Sequence, residues 1–234
     1  MKVPTEQHIL TVSILRVVGY GLLMMAVVDF VNLLIPLELM NPDWEFQLVG
    51  SIIERIPVTF LGIVFVFYED TNYRTPIEKF LLKIVSWSCL ALAILLIFTI
   101  PLNINNAFRI YRTFNAKVNY QLVPRLEVIK DFQNQIESAN SPESITNILQ
   151  KQSSTRIELT DSLDINDLKN NITANLNQES DALRNKAQDS RSRKRYQIFR
   201  NVVKYNLGAL ISIFLLLFIW KNTFWARTDY SWEE

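Results

Sequence analysis

The sequence predicts an all-α membrane protein with four transmembrane helices and a long helical hairpin inserted between the third and the fourth. Three apolar runs fill the first hundred residues and a fourth lies near the C-terminus, each close to the roughly 20 residues that a helix needs to cross hydrocarbon. Residues 103–203 are rich in Asn, Gln, Ser and charged residues, with apolar residues at helical spacing. We therefore divide the chain into residues 1–102, 103–203 and 204–234.

The four predicted spans lie, in chain order, at about residues 14–35, 48–68, 84–100 and 205–220. Pro36 closes the first span and Pro101 ends the third, since proline cannot donate a helical hydrogen bond. Aromatic side chains typical of a membrane interface gather at and after the end of the fourth span. They are Trp220, Trp225, Tyr230 and Trp232.

The second span has two interpretations, because Pro57 lies within it. Asn41, Pro42 and Asp43 form a typical helix start, with Asn41 as the cap and Pro42 in the first turn. Either one Pro57-kinked helix runs on to Tyr68, or a short interfacial helix precedes a span that begins near Pro57. We favour the kinked helix.

The polar region predicts two long helices that meet along a narrow apolar seam, as in a short coiled coil. The second of them begins near Asp164 or Asp167 and meets no Pro or Gly before Gly208, so it can continue into the fourth span. One stripe along it consists of Leu168, Ile172, Leu176 and Leu183. We expect this stripe to dock a protein partner or a second copy of the chain.

Four spans place both termini on one side of the membrane and the hairpin on the other. Basic residues near the membrane are slightly more numerous on the hairpin side, which predicts a cytoplasmic hairpin. The densest run is Arg191, Arg193, Lys194 and Arg195. It either contacts anionic lipid headgroups or only sets the topology.

Three ionisable residues fall within the predicted spans, where a charge is costly without a partner. Glu54 and Arg55 lie in the second span, and Asp29 lies near the end of the first span that shares its membrane face. Asp29 can therefore meet Arg55. The residues form either a structural ion pair or part of a proton or ion path.

Catalytic signatures are absent from the sequence. Cys89 and His8 are the single cysteine and histidine, so the chain cannot assemble a metal site rich in either residue. No phosphate loop, dinucleotide fingerprint or nucleophile elbow occurs. We expect a protein that is not an enzyme and has no cofactor. The net charge of +1 gives no reason to expect nucleic acid as a partner.

Three segments resemble the cyanobacterial HpsJ family, named for hormogonium polysaccharide biosynthesis. They read RVVGYGLL (16–23), MNPDWEF (40–46) and GSIIERIPVTFLGIVFVFY (50–68), and the resemblance covers about residues 14–110. It implies a cyanobacterial protein of the thylakoid or plasma membrane with a role in making or exporting extracellular polysaccharide. It implies no transferase activity.

Two functional hypotheses follow. The first is a non-catalytic membrane scaffold or accessory subunit that docks a partner complex through its helical hairpin. The alternative is a component of polysaccharide biosynthesis or export, or a transporter, that uses the charges of Asp29, Glu54 and Arg55.

Overall fold

Four long α-helices make up the computed structural model, which describes residues 6–68, 74–141, 143–145, 147–148 and 165–228. The helices are α1 (Glu6–Leu33), α2 (Pro42–Val66), α3 (Pro76–Ser138) and α4 (Ile165–Asn222), and a 3-10 turn, Phe224–Ala226, follows α4. The described ranges contain no strand. Each helix is long and apolar enough to cross a membrane. The chain is therefore an all-helical integral membrane protein.

The chain divides into two compact units. The first comprises residues 1–110 and 198–234, and the second comprises residues 111–197. The first unit holds α1, α2, the N-terminal half of α3 and the C-terminal end of α4. We call it the membrane unit and the other the polar unit.

Pro57 lies in the interior of α2 and does not divide this helix. The Asn41 side chain caps this helix, because its Oδ1 accepts a hydrogen bond from the backbone N–H of Asp43 at 3.1 Å. Asp43 and Glu45 place negative charge in the first turn, where the helix dipole favours it. The interpretation as one continuous helix is confirmed.

Helix α3 begins well before the predicted third span and continues past Pro101 to Ser138. Thr75 and Glu78 form a reciprocal capping box at its start, with bonds of 3.2 and 3.3 Å. The third span is predicted to end at Pro101, whereas the helix itself continues through this residue. Proline removes only one backbone donor, so a helix can tolerate it.

Helix α4 runs without interruption from Ile165 through the fourth span, as the absence of Pro and Gly before Gly208 predicts. The alternative start at Asp164 lies outside the described residues, as do Tyr230 and Trp232 at the C-terminal end.

The core of the membrane unit joins α2, α3 and α4. Small residues lie at its centre: Cys89, Ala93 and Ala209 are at most 1% exposed. Such residues allow helix backbones to approach closely where lipid supplies no hydrophobic driving force. Larger side chains complete the buried cluster: Val49, Ile53, Ile63, Leu96, Ile213 and Leu216.

Two interhelical hydrogen bonds bracket this apolar core. Ser86 Oγ and Thr223 Oγ1 are 2.8 Å apart at one end, and Asn103 Nδ2 donates to Asn206 Oδ1 at 3.2 Å at the other. Each helix advances 17 residues between the two levels, which is about 25 Å at 1.5 Å per residue. That length approaches the roughly 30 Å of a bilayer's hydrocarbon. The two bonds therefore mark the ends of the apolar slab.

The polar unit has its own small core. Phe132, Ile136, Ala139 and Ile145 are buried there, and apolar residues of α4 pack against them: Ile165, Leu168, Ile172 and Leu176. Two polar contacts lie beside it. Gln133 donates to Asn177 at 2.9 Å, and Lys169 Nζ donates to the Glu137 carbonyl at 2.9 Å.

Helices α1 and α2 approach each other closely at Gly19. A Cβ atom at this position would lie 2.9 Å from Phe65 Cβ and from the backbone nitrogen of Val66. Real Cβ atoms essentially never show contacts this short, and backbone cannot rotate out of the way as a side chain can. The absence of a side chain at Gly19 therefore sets the distance between the two helices.

We expect Gly19→Ala to destabilise the membrane unit by about 1–3 kcal/mol, the usual cost of overpacking. Gly21→Ala is the matched control, because a Cβ there meets no atom within 4 Å. Thermal unfolding in mild detergent measures the difference. Equal midpoints for the two variants would contradict the close approach of α1 and α2.

Candidate functional site

The loop before α2 is tied to the rest of the membrane unit through Met40. Met40 adopts a left-handed conformation with φ of 71°, which is uncommon outside glycine. Its N–H donates to Glu45 Oε1 at 3.0 Å, and its carbonyl accepts from Arg109 Nη2 at 3.2 Å. These two bonds hold the strained residue between the first turn of α2 and helix α3.

The second oxygen of Glu45 reaches α3. Glu45 Oε2 accepts a hydrogen bond from Asn106 Nδ2 at 2.7 Å, and Asn106 is fully buried. One carboxylate therefore joins the loop, the start of α2 and the end of the third span. Carboxylate acceptors form hydrogen bonds about twice as strong as neutral ones.

Helix α4 joins this arrangement at Asn103, one turn of α3 before Asn106. The fully buried Asn103 donates to Asn206, and the ring of Tyr205 lies 5.4 Å from that of Phe46. A Cβ atom on Gly50 would collide with the Tyr205 ring. We call these contacting residues the junction: Met40, Glu45, Phe46, Gly50, Asn103, Asn106, Arg109, Tyr205 and Asn206.

The three intramembrane charges predicted to act together are divided between two ion pairs. Arg55 Nη1 lies 3.2 Å from Asp29 Oδ1, which joins α1 to α2. Glu54 instead contacts Lys204, whose Nζ lies 2.6 Å from Oε1, which joins α2 to α4. All four side chains are about half exposed, with values between 45% and 59%. The roles predicted for Asp29, Glu54 and Arg55 stay predictions.

The predicted basic run has mixed surroundings within the polar unit. Arg191 donates to Asn119, and Lys194 Nζ lies 5.9 Å from the Phe114 ring. Arg193 and Arg195 are exposed. A lipid role for the run stays a prediction.

The predicted docking stripe is partly used within the chain. Leu168, Ile172 and Leu176 pack against the buried cluster around Ile136, and Leu183 is half-buried. These contacts reduce the apolar surface that the stripe offers to another protein.

Sequence reasoning missed the junction, although part of its signal was present. Asn103 and Asn106 stand three residues apart just after an uncharged apolar run, so they share one helix face. Two amides on one face at a membrane boundary indicate polar partners on neighbouring helices. The identity of those partners, Asn206 and Glu45, depends on a register that spacing along the chain does not give.

The geometry of the junction favours a structural role over a catalytic or metal-binding one. Between the two bracketing hydrogen bonds the buried residues are apolar or small, and Ser212 and Thr99 are the buried polar side chains described there. No group of three His, Cys, Asp or Glu residues that could hold a metal occurs in the described part.

We expect Glu45→Ala to lower stability by about 1–3 kcal/mol, because it leaves the Asn106 amide and the Met40 N–H without their acceptor. Gln47→Ala, an exposed change in the same helix, is the control. Thermal unfolding of Glu45→Ala, Asn106→Ala and the double variant provides a coupling free energy. Strict additivity would show that the two residues do not interact.

Comparison with known proteins identifies the lineage. A search of curated proteins found no match, and a search of solved structures also found none. The family model of HpsJ-like proteins matches residues 10–223, which include the four candidate membrane spans and the whole junction. The chain therefore belongs to the HpsJ-like family.

Proposed function

We propose that this HpsJ-like protein is a non-catalytic membrane scaffold or accessory subunit, which docks a partner complex through its polar unit. The observation that carries the proposal is how the membrane unit uses its polar side chains. Glu45, Asn103 and Asn106 are engaged in contacts between helices, and the buried side chains between the bracketing hydrogen bonds are mostly apolar. A membrane unit of this kind is suited to anchoring the polar unit at the membrane.

The polar unit is the part that we propose for docking, as an antiparallel helical hairpin. Two hydrogen bonds support this arrangement, one between Gln133 and Asn177 and one between Glu137 and Lys169. Moving forward along α3 pairs with moving backward along α4, as in antiparallel helices. Because the predicted stripe packs partly within the chain, we assign docking to the outer face of α3. Tyr120, Val123 and Val128 are 83%, 48% and 52% exposed there.

The setting of this role follows the family resemblance. We propose a cyanobacterial thylakoid or plasma membrane, a hairpin on the cytoplasmic side, and a contribution to making or exporting extracellular polysaccharide. An accessory subunit can serve such a process without touching a sugar substrate.

We expect a photo-crosslinking amino acid at Tyr120 to capture a partner protein in native membranes. The same group at Arg125, which is exposed and lies about 140° around α3 from Tyr120, is the control and is expected to capture less. Affinity purification in mild detergent with mass spectrometry identifies the product. Monomeric protein without a co-purifying partner, and equal crosslinking at both positions, would contradict docking through this face.

A transporter or export component that uses the intramembrane charges is the second candidate. The half-exposed pairs Asp29–Arg55 and Glu54–Lys204 favour it, since half-exposed charges remain accessible to other molecules. Against it stands the apolar slab, which offers a moving ion few polar groups at successive depths.

Asp29→Asn and Arg55→Gln distinguish the two candidates. If the pair is structural, each single change lowers protein abundance, and the double variant is less harmful than the sum, with a coupling of about 0.5–1 kcal/mol. If the pair carries ions, either change abolishes transport or polysaccharide secretion at normal abundance. We expect the structural outcome, measured by quantitative immunoblotting beside a secretion assay. Lost secretion at unchanged abundance would favour the transporter.

A further inference from the structure

Two hydrogen-bond donors at and just after the C-terminal end of α4 find no acceptor among the residues that the structure describes. The indole Nε1 of Trp220 and Nη1 of Arg227 are both buried, and neither has a hydrogen-bond partner within the described ranges. Leaving such a donor unpaired costs about 1–3 kcal/mol, and more for a charged group. Groups of this kind in a native protein need an explanation, and a ligand that supplies an acceptor is one.

The two donors lie next to each other. The Arg227 guanidinium carbon is 4.2 Å from the centre of the Trp220 ring, which places the planar cation over the indole face. Phe224 and Trp87 lie 5.6 and 5.9 Å from the same carbon. Three aromatic rings therefore hold the guanidinium in place without neutralising its charge.

The place of this pair in the membrane unit limits what the acceptor can be. Trp220 and Arg227 flank Thr223, whose hydrogen bond to Ser86 marks one end of the apolar slab. Lipid headgroups lie at this level, and Trp side chains are enriched there. A guanidinium beside an indole N–H matches an oxyanion, because its planar fork fits phosphate-like oxygens.

Apolar surface for the rest of a lipid lies beside the donors. Trp87 and Phe224 are 53% and 60% exposed, although both belong to the aromatic cluster around Arg227. Deeper in the slab, Ile94 lies two turns after Trp87 on α3, and Leu217 lies one turn before Trp220 on α4. Both aliphatic side chains are exposed. The headgroup donors are thus continuous with a surface that suits acyl chains.

We propose that Trp220 and Arg227 form the headgroup site of a bound membrane lipid that carries an anionic phosphate or sulfonate group. The two N–H groups donate to its oxyanion, and its acyl chains lie against Trp87, Phe224 and the slab below. This site is at the opposite end of the slab from the junction. It does not depend on partner docking by the polar unit.

Phosphatidylglycerol is the probe that tests the site. The full-length protein is placed in nanodiscs of phosphatidylcholine with and without phosphatidylglycerol, and retained lipid is counted by native mass spectrometry. Phosphatidylglycerol is expected to stay bound and to raise the midpoint of thermal unfolding, because a ligand of the folded state stabilises it. Phosphatidylcholine alone is expected to do neither.

Three variants separate a specific site from general attraction. Arg227→Gln removes the charge and is expected to weaken phosphatidylglycerol binding on the order of tenfold or more. Trp220→Phe keeps a ring but removes the N–H, and is expected to weaken binding roughly threefold to tenfold. Lys221→Gln removes an exposed neighbouring cation and is expected to leave binding unchanged.

The readout is the increment in the unfolding midpoint caused by phosphatidylglycerol, measured within each variant. A purely structural role of Arg227 lowers the midpoint in both lipids and leaves this increment intact, which would overturn the proposal. An equal loss in Lys221→Gln would also overturn it, since attraction would then depend on charge alone. If Arg227→Gln does not fold, Trp220→Phe decides by the same criterion.

Discussion

The Glu45 carboxylate is the contact on which the arrangement of the membrane unit depends most. Its two oxygens accept hydrogen bonds from the Met40 N–H and the Asn106 amide, so one side chain fixes both the loop before α2 and the exit of α3. Met40 can keep a left-handed backbone because the surrounding bonds over-determine it. With α2 and α3 fixed at this end, Phe46 and Gly50 are placed to receive the Tyr205 ring of α4.

The hydrocarbon of a bilayer cannot satisfy polar groups, and this constraint explains where the polar residues lie. Ser86 and Thr223 pair at one end of the slab, and Asn103 and Asn206 pair at the other. The interior uses small and aliphatic residues, which pack closely and need no partner. We infer that two widely separated hydrogen bonds set the register between α3 and α4. The apolar packing between them is less specific, because apolar side chains have no polar groups to pair.

Much of the fold follows from composition and local signals, whereas the contacts of the site do not. Apolar length predicts four spans, the Asn41 cap predicts the start of α2, and an uninterrupted sequence predicts α4. The span that is predicted to end at Pro101 belongs to a longer helix, because proline removes a single backbone donor and need not end a helix. Glu54 was grouped with Arg55 by sequence, but adjacent helical residues point about 100° apart. Glu54 consequently meets Lys204 of α4, whereas Arg55 meets Asp29 of α1.

The two ends of the slab differ in how their polar groups are satisfied, and that difference separates anchoring from recognition. At the junction, the side-chain amides of Asn103 and Asn106 donate to acceptors on other helices, whereas their Oδ1 atoms have no partner among the described residues. At the opposite end, the donors of Trp220 and Arg227 lie beside aromatic rings and have no acceptor within the part of the chain that the structure describes. An end held by its own interhelical hydrogen bonds is suited to anchoring, whereas unpaired donors are suited to binding an external acceptor. If a lipid oxyanion is that acceptor, as we propose, the chemistry of the membrane at that end contributes to the stability of the folded protein.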